Sequence, residues 1–128
     1  MTEKPELLLI EDDPLNVFII TEHFSDRFMV SAATNSDEAL ELASARSFDA
    51  IISDENLGNF SLTGSKTCVL IKASLRKSAP YMVLLSGYSY MDEGTDYPIG
   101  LFDEKLVKPT DLDELKERIL NAVGHGNA

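Results

Sequence analysis

Several scarcities limit what kind of protein this sequence can encode. Cys68 is the only cysteine, so the chain cannot form an internal disulfide, which fits a reducing cytoplasm. Its apolar neighbours in a predicted helix make it an unreactive core residue. No apolar run approaches the roughly 18 residues that a membrane-spanning helix needs, and the polar start MTEKPE is not a secretory signal. We therefore predict a cytoplasmic protein that does not act at a membrane.

Basic residues are also scarce. The chain has 11 lysines and arginines against 22 aspartates and glutamates, so its formal net charge is −11. A surface with this charge repels the phosphates of nucleic acids and of anionic lipids. We therefore expect no direct binding to nucleic acid, whereas cations and basic protein surfaces are attracted.

The sequence does have a regular alternation of apolar runs and amphipathic stretches. Hydrophobic residues make up 44% of the chain, enough for one packed core. The alternation predicts a doubly wound α/β fold, with five parallel strands in the order 2-1-3-4-5 and helices on both faces. We expect one domain over residues 1–128, with an ordered core over about 5–123. The predicted strands are 6–10, 28–33, 49–53, 81–86 and 103–107, and the predicted helices are 14–24, 37–47, 65–77 and 111–123.

Three helix starts can be assigned from capping residues. Asp13 can accept a backbone N–H bond at the start of the first helix, with Pro14 at the first helical position, where its missing N–H costs nothing. Ser36 is predicted to cap the second helix. Thr110 and Asp113 resemble a capping box at the start of the last helix.

Polar and charged residues follow the predicted carboxyl ends of four strands, the edge where doubly wound folds bind ligands. Glu11 and Asp12 follow the first strand and Asp54 follows the third, which is its neighbour, so these carboxylates should converge. A hard divalent cation such as Mg2+ relieves their mutual repulsion. Ser86 ends the fourth strand, and Lys108 follows the fifth. A metal, a lysine and a hydroxyl around one carboxylate suit phosphoryl transfer to that carboxylate.

Each of these residues has a plainer explanation when it is taken alone. Acidic residues after a strand are commonly solvated loop starts, and an isolated lysine such as Lys108 is usually a surface residue. Four stretches in fixed order remove most of that ambiguity: LLLIEDDP, FDAIISDENLG, VLLSGY and LVKP. Together they make the chain resemble the receiver domains of the two-component response regulator family over nearly its whole length. The resemblance implies a flavodoxin-like fold and a phosphoacceptor function.

The resemblance also implies a role for each matching residue. Asp54 matches the nucleophile that takes a phosphoryl group from a phosphohistidine. Asp12 and Asp54 would bind Mg2+ or Mn2+ directly, Glu11 through water, and Asn56 through its backbone carbonyl. Lys108 would contact first the acceptor and then the phosphoryl oxygens.

The residues after the fourth strand match the rest of the phosphoryl pocket. The resemblance implies that the hydroxyl of Ser86 reaches the phosphoryl group and that Gly87 leaves the pocket open. Asn56 and Tyr88 would control the attack of water on the phosphoryl group, and a bulky Tyr88 would slow it. The Lys108–Pro109 bond is often cis in this family.

The sequence departs from the family pattern in four places. Lys105 stands where receivers usually carry an aromatic switch residue, for which Tyr88, Tyr90 or Phe102 could substitute. Gly58 replaces a usual proline, and the loop after Asp54 is about two residues longer than usual. The stretch 87–100 is poor helix material, because it contains glycines and a proline, so we expect a short or mobile segment there.

The resemblance implies protein partners. Phosphate would come from a histidine kinase or a histidine phosphotransfer protein, and a downstream protein would respond to it. Such a domain is not an enzyme in the usual sense, since it catalyses only its own phosphorylation and dephosphorylation. Two alternatives remain. One is a phosphohydrolase of the haloacid dehalogenase type, although its nucleophile follows the first strand and Asp54 follows the third. The other is a degenerate receiver that acts only as a binding module.

Overall fold

The fold follows from the alternation of strands and helices along the chain. The computed structural model describes residues 3–58, 61–75, 79–87 and 100–124. The strands are β1 (Glu6–Ile10), β2 (Met29–Ala33), β3 (Ala50–Asp54), β4 (Tyr81–Ser86) and β5 (Glu104–Val107). The helices are α1 (Pro14–Phe24), α2 (Ser36–Ala45), α3 (Gly64–Ser74) and α4 (Leu112–Ala122).

The five strands form one parallel sheet in the order β2-β1-β3-β4-β5. The predicted fold and strand order are therefore confirmed. The register pairs Ile10 with Ser53 across β1 and β3, and Ser86 with Val107 across β4 and β5. Because all strands run in one direction, the residues that follow Ile10, Ser53, Ser86 and Val107 meet at a single edge of the sheet.

Side chains alternate between two cores, one on each face of the sheet. Leu8 and Ile51 lie in the core beneath α2 and α3, whereas their neighbours Leu7 and Ile52 lie in the core beneath α1 and α4. β1, β3 and β4 are buried on both faces, which explains why they read as continuous apolar runs. This rigid central layer positions the polar residues that follow it.

The helix caps correct two of the three predictions. Asp13 caps α1 as predicted, since its Oδ1 accepts a hydrogen bond from Leu15 N at 3.0 Å. Asn35, and not Ser36, caps α2, because the Ser36 hydroxyl is buried and bound to the loop before α3. Asp111, and not Thr110, caps α4, where it accepts from Glu114 N at 3.1 Å.

The remaining differences concern element ends. β2, β3 and β5 each begin one residue later than predicted, β3 also ends one residue later, and α3 begins at Gly64 with Thr63 as its cap. The hypothesis of a short or mobile segment over 87–100 falls mostly on residues 88–99, which lie outside the described residues. None of the helices in the described part of the chain has the length and apolarity that crossing a membrane takes.

Candidate functional site

The first component of the site is the pair of acidic residues after β1. Glu11 continues the sheet, because its backbone N donates to Ala33 O of β2 at 2.9 Å. This places the Glu11 side chain inside the fold, with only 2% of the residue exposed, while Asp12 beside it is exposed. Glu11 Oε2 accepts a hydrogen bond from Asp13 N at 3.1 Å. The buried carboxylate is therefore oriented by the turn that starts α1.

The second component is Asp54, the last residue of β3. Asp54 is 6% exposed, and its Oδ1 lies 2.7 Å from the Nζ of Lys108, which follows β5. One carboxylate oxygen each from Glu11, Asp12 and Asp54 lies within 4.8 Å of the others. The sequence prediction that these four residues converge agrees with the geometry.

The electrostatics of the site favour a divalent cation. Burial raises the pKa of Glu11 to about 6, and the negative charge of Asp54 adds to the rise, while the Asp13 N–H bond and Lys108 oppose it. When all are ionised, three carboxylates face one lysine, which leaves two negative charges uncompensated. An ion such as Mg2+, which prefers carboxylate and carbonyl oxygens, fits this donor set in both charge and chemistry.

The third component is the end of β4. Ser86 is 4% exposed, and its backbone carbonyl accepts a hydrogen bond from Lys108 N at 2.7 Å, so the two residues lie side by side. Gly87 is exposed, and an added Cβ there would meet no atom of the described residues within 4 Å. Tyr88, which we expected to shield the phosphoryl group, lies outside the described residues, as does Tyr90.

Lys105, which stands at the position of the missing aromatic switch, and Phe102, one of its possible substitutes, occupy different environments. Lys105 lies on β5 opposite Leu84 and is exposed. Phe102 is only 9% exposed and packs into the core with α2 and α3. It is therefore a core residue in this structure and does not replace an aromatic group on the surface of β5.

The loop after Asp54 is shaped by a tight turn. The side chain of Asn56 folds back, and its Oδ1 accepts a hydrogen bond from Gly58 N at 3.1 Å. Gly58 has a φ of +95°, which only glycine adopts without strain, and an added Cβ there would lie 3.4 Å from Asp12 Oδ2. Glycine at this position therefore lets the loop pass close to the Asp12 carboxylate. The Lys108–Pro109 peptide bond is cis.

Sequence reasoning missed one contact beside Asp54. Glu55 accepts hydrogen bonds from Ser65 N at 2.7 Å and from the Ser65 hydroxyl at 2.9 Å. The two residues are ten positions apart across an irregular loop, so no periodic pattern indicates the pair. The one available signal was the serine in the first turn of α3, a place where side-chain oxygens and acidic partners are common.

Comparison with known proteins identifies the family. The model of the response regulator receiver domain matches residues 7–120. The chain belongs to this family. It is therefore a phosphoacceptor domain of two-component signalling, and not a conventional enzyme that turns over an external substrate. None of the curated proteins compared with the chain is a significant match.

Solved receiver structures share both fold and length with this receiver domain. A CheY-like receiver domain from Methylobacillus flagellatus is 26% identical, with a TM-score of 0.80, and the alignment covers 94% of this chain and 99% of that one. The response regulator TrrA from Thermotoga maritima, solved in complex with Mg2+ and beryllium fluoride, is 25% identical with a TM-score of 0.75, covering 91% and 97%. The receiver domain of a sensor histidine kinase from Pseudomonas aeruginosa PAO1, with magnesium in its active-site cleft, is 22% identical with a TM-score of 0.80, covering 95% and 99%.

Proposed function

We propose that Asp54 is the phosphoacceptor of this receiver domain and takes its phosphoryl group from a phosphohistidine. The observation that carries the proposal is the 2.7 Å contact between Asp54 Oδ1 and Lys108 Nζ, beside the carboxylates of Glu11 and Asp12. A carboxylate that must attack an anionic phosphoryl group needs positive charge around it. Lys108 supplies one such charge, and the acidic pair supplies a place for a second.

The proposed transfer is a displacement at phosphorus. An oxygen of Asp54 forms the new P–O bond while the P–N bond of the donor breaks, and the imidazole keeps that electron pair and takes up a proton from water. Lys108 neutralises charge on the transferring oxygens, and the Ser86 hydroxyl donates to one of them. Gly87 leaves space beside the phosphoryl group, while Tyr88 and Asn56 restrict the approach of water.

Mg2+ is the proposed cofactor, and Mn2+ should replace it, because both prefer oxygen ligands. Asp12 and Asp54 would bind the ion directly, Glu11 through water, and Asn56 through its backbone carbonyl. The relatives from Thermotoga maritima and Pseudomonas aeruginosa, both solved with magnesium, support this assignment. When bound, the ion would neutralise negative charge on the phosphoryl oxygens and so lower the repulsion that the Asp54 carboxylate meets as it approaches phosphorus.

The proposed partners are proteins. A histidine kinase or a histidine phosphotransfer protein would supply the phosphoryl group, and a downstream protein would bind the phosphorylated form. The net charge of −11 supports basic protein partners and argues against nucleic acid. A cytoplasmic location and one domain over residues 1–128 remain predictions of the sequence.

A phosphorylation assay tests the proposal directly. The protein is mixed with acetyl phosphate and Mg2+, and its intact mass should rise by one phosphoryl group. Asp54→Asn and removal of Mg2+ with EDTA should each abolish the rise. Asp49→Asn is the matched control, because Asp49 is exposed and precedes β3 at the opposite edge of the sheet. Phosphorylation of the Asp54→Asn variant would refute the assignment of Asp54.

The same assay separates the alternatives. Rapid release of inorganic phosphate with many turnovers would favour a phosphohydrolase, for which the position of Asp54 at the end of β3 and the family match give no support. A chain that takes up no phosphate but still binds a partner would be a degenerate receiver. The Asp54–Lys108 contact favours an active acceptor over that alternative.

A further inference from the structure

Glu55, the residue after Asp54, is held in place by hydrogen bonds of both its backbone and its side chain. Glu55 N donates to Leu85 O of β4 at 2.9 Å, and Glu55 O accepts from Gly64 N at 2.9 Å. Both oxygens of the Glu55 carboxylate are bound by Ser65, one to its backbone N at 2.7 Å and the other to its hydroxyl at 2.9 Å. Ser65 is 4% exposed, so water competes little for these bonds.

The start of α3 also packs directly against the backbone of Asp54. An added Cβ on Gly64 would lie 2.0 Å from the carbonyl oxygen of Asp54 and 2.5 Å from Ser53 Oγ. Ser53 Oγ in turn donates to that same carbonyl at 2.9 Å. Hydrogen bonds between Glu55 and the start of α3 therefore hold the two ends of the segment 55–65 together, and they do so next to Asp54.

We propose that Glu55 is a positioning residue for phosphoryl transfer and metal binding. The inference rests on the proposed function of Asp54. The Glu55–Ser65 contact fixes the backbone on the carboxyl side of Asp54, and so sets the direction of its side chain. The same contact fixes the backbone on the amino side of Asn56. The proposed function assigns the Asn56 carbonyl to the metal.

Glu55 acts through this contact and not as a metal ligand. Both of its oxygens are bound by Ser65, and the group of carboxylates that can share an ion within the described part of the chain is Glu11, Asp12 and Asp54. Its negative charge lies instead at the amino end of α3, where the helix dipole favours it. Removing the Glu55 side chain therefore removes a constraint on the site without removing any of the proposed metal ligands.

Variants of the pair test the proposal in two independent readouts. The dissociation constant for Mg2+ is measured from amide NMR shifts, and the phosphorylation rate with acetyl phosphate is measured by intact mass. Loss of an outer contact to metal ligands typically costs about tenfold or more in affinity or activity, so we expect about tenfold in both readouts for Glu55→Ala. Glu55→Gln, which keeps an acceptor for Ser65 N, should lose less than Glu55→Ala. Ser65→Thr should retain most of the function that Ser65→Ala loses, and the double alanine variant should be no worse than Glu55→Ala.

A control variant separates positioning from general destabilisation. Ile71→Val weakens the same helix at its other end, where Ile71 is 1% exposed, and should leave Mg2+ affinity and phosphorylation rate unchanged. If Glu55→Ala behaves like Ile71→Val in both readouts, the proposal is wrong while Asp54 remains the acceptor. If the wild-type protein takes up no phosphoryl group, the proposed function fails, and the Mg2+ readout still decides whether Glu55 positions the carboxylates.

Discussion

Lys108 and Asp54 form an ion pair across the end of a strand to which neither belongs. Lys108 follows β5 and Asp54 ends β3, and β4 lies between them in the sheet. The long lysine side chain spans that distance, and Nζ reaches Asp54 Oδ1 at 2.7 Å, with Asp54 buried and Lys108 one-third exposed. The ammonium group would therefore share the Asp54 carboxylate with any cation bound by Glu11 and Asp12.

This arrangement predicts opposite effects of Lys108→Ala on transfer and on metal binding. Loss of one group that stabilises charge on the transferring oxygens should slow phosphorylation by acetyl phosphate about 100-fold. Mg2+ affinity should rise, because the competing ammonium charge is gone. The rate is measured by intact mass and the affinity from amide NMR shifts. Lys72→Ala removes the same charge at the far end of α3 and should change neither value. A parallel loss of both would contradict this account.

Mg2+ binding should stabilise the fold, and this stabilisation should depend on Asp12 but not on Asp13. Mg2+ at a hundred times its dissociation constant adds about 2.7 kcal/mol to the free energy of unfolding of the wild type. Asp12→Asn should lose most of this gain, because it removes a carboxylate that the proposed function assigns to the metal. Asp13→Asn should keep it, because asparagine also caps a helix and Asp13 Oδ1 is engaged with Leu15 N. The measurement is thermal unfolding with Mg2+ and with EDTA, and an Asp13→Asn variant that no longer responds would contradict the assignment.

The sequence predicted the site better than it predicted the loops. Apolar runs located the strand ends, and the parallel order then brought Glu11, Asp12, Asp54 and Lys108 together. Those inferences depend on short-range patterns and on one topological rule. The precise ends of the helices are harder to predict, because tertiary contacts determine which of two neighbouring residues caps a helix.

Two capping residues illustrate this limit. Asn35 and Ser36 are both good caps, and the structure uses Asn35 because the Ser36 hydroxyl accepts from Leu62 N at 3.2 Å and pairs with Ser61 Oγ at 3.0 Å. Ser61 is 25 residues away from Ser36 along the chain, so this contact cannot be predicted from the local sequence. The Glu55–Ser65 pair was missed for the same reason, since the loop between them has no periodicity.

Gly64 should be intolerant of a side chain. A Cβ at this position would lie 2.0 Å from the Asp54 carbonyl oxygen, so either α3 or the backbone of Asp54 must move. We expect Gly64→Ala to cost about 1–3 kcal/mol of unfolding free energy and to slow phosphorylation. Gly87→Ala, whose Cβ meets no described atom within 4 Å, should change stability by less than about 0.5 kcal/mol. Urea unfolding of both variants provides the comparison, and equal losses would contradict it.

Cys68 should be unreactive while the protein is folded. Burial raises the pKa of its thiol to about 12, although a hydrogen bond with Ser53 opposes the rise, and the residue has no exposed surface. Thiol reagents attack the thiolate and need access to it. At pH 8 we therefore expect labelling only through unfolding, with a rate that increases with urea concentration. Denatured protein should take one label per chain and Cys68→Ala none, whereas fast labelling of the native protein would show that α3 opens locally.

Tyr81 should titrate later than an exposed tyrosine. Burial raises its pKa to about 12, and its hydroxyl donates to Glu104 Oε2 at 2.6 Å, a bond that the ionised form would lose. Since this pKa lies above the unfolded value of about 10, the contribution of Tyr81 to stability is complete below that pH and is lost as the pH rises towards 12. Absorbance at alkaline pH should show that one of the four tyrosines ionises late, and Tyr81→Phe should remove that step. Glu104→Gln, which keeps an acceptor but removes the charge, should move the step to lower pH. A titration of Tyr81→Phe that retains the late step would assign it to another tyrosine.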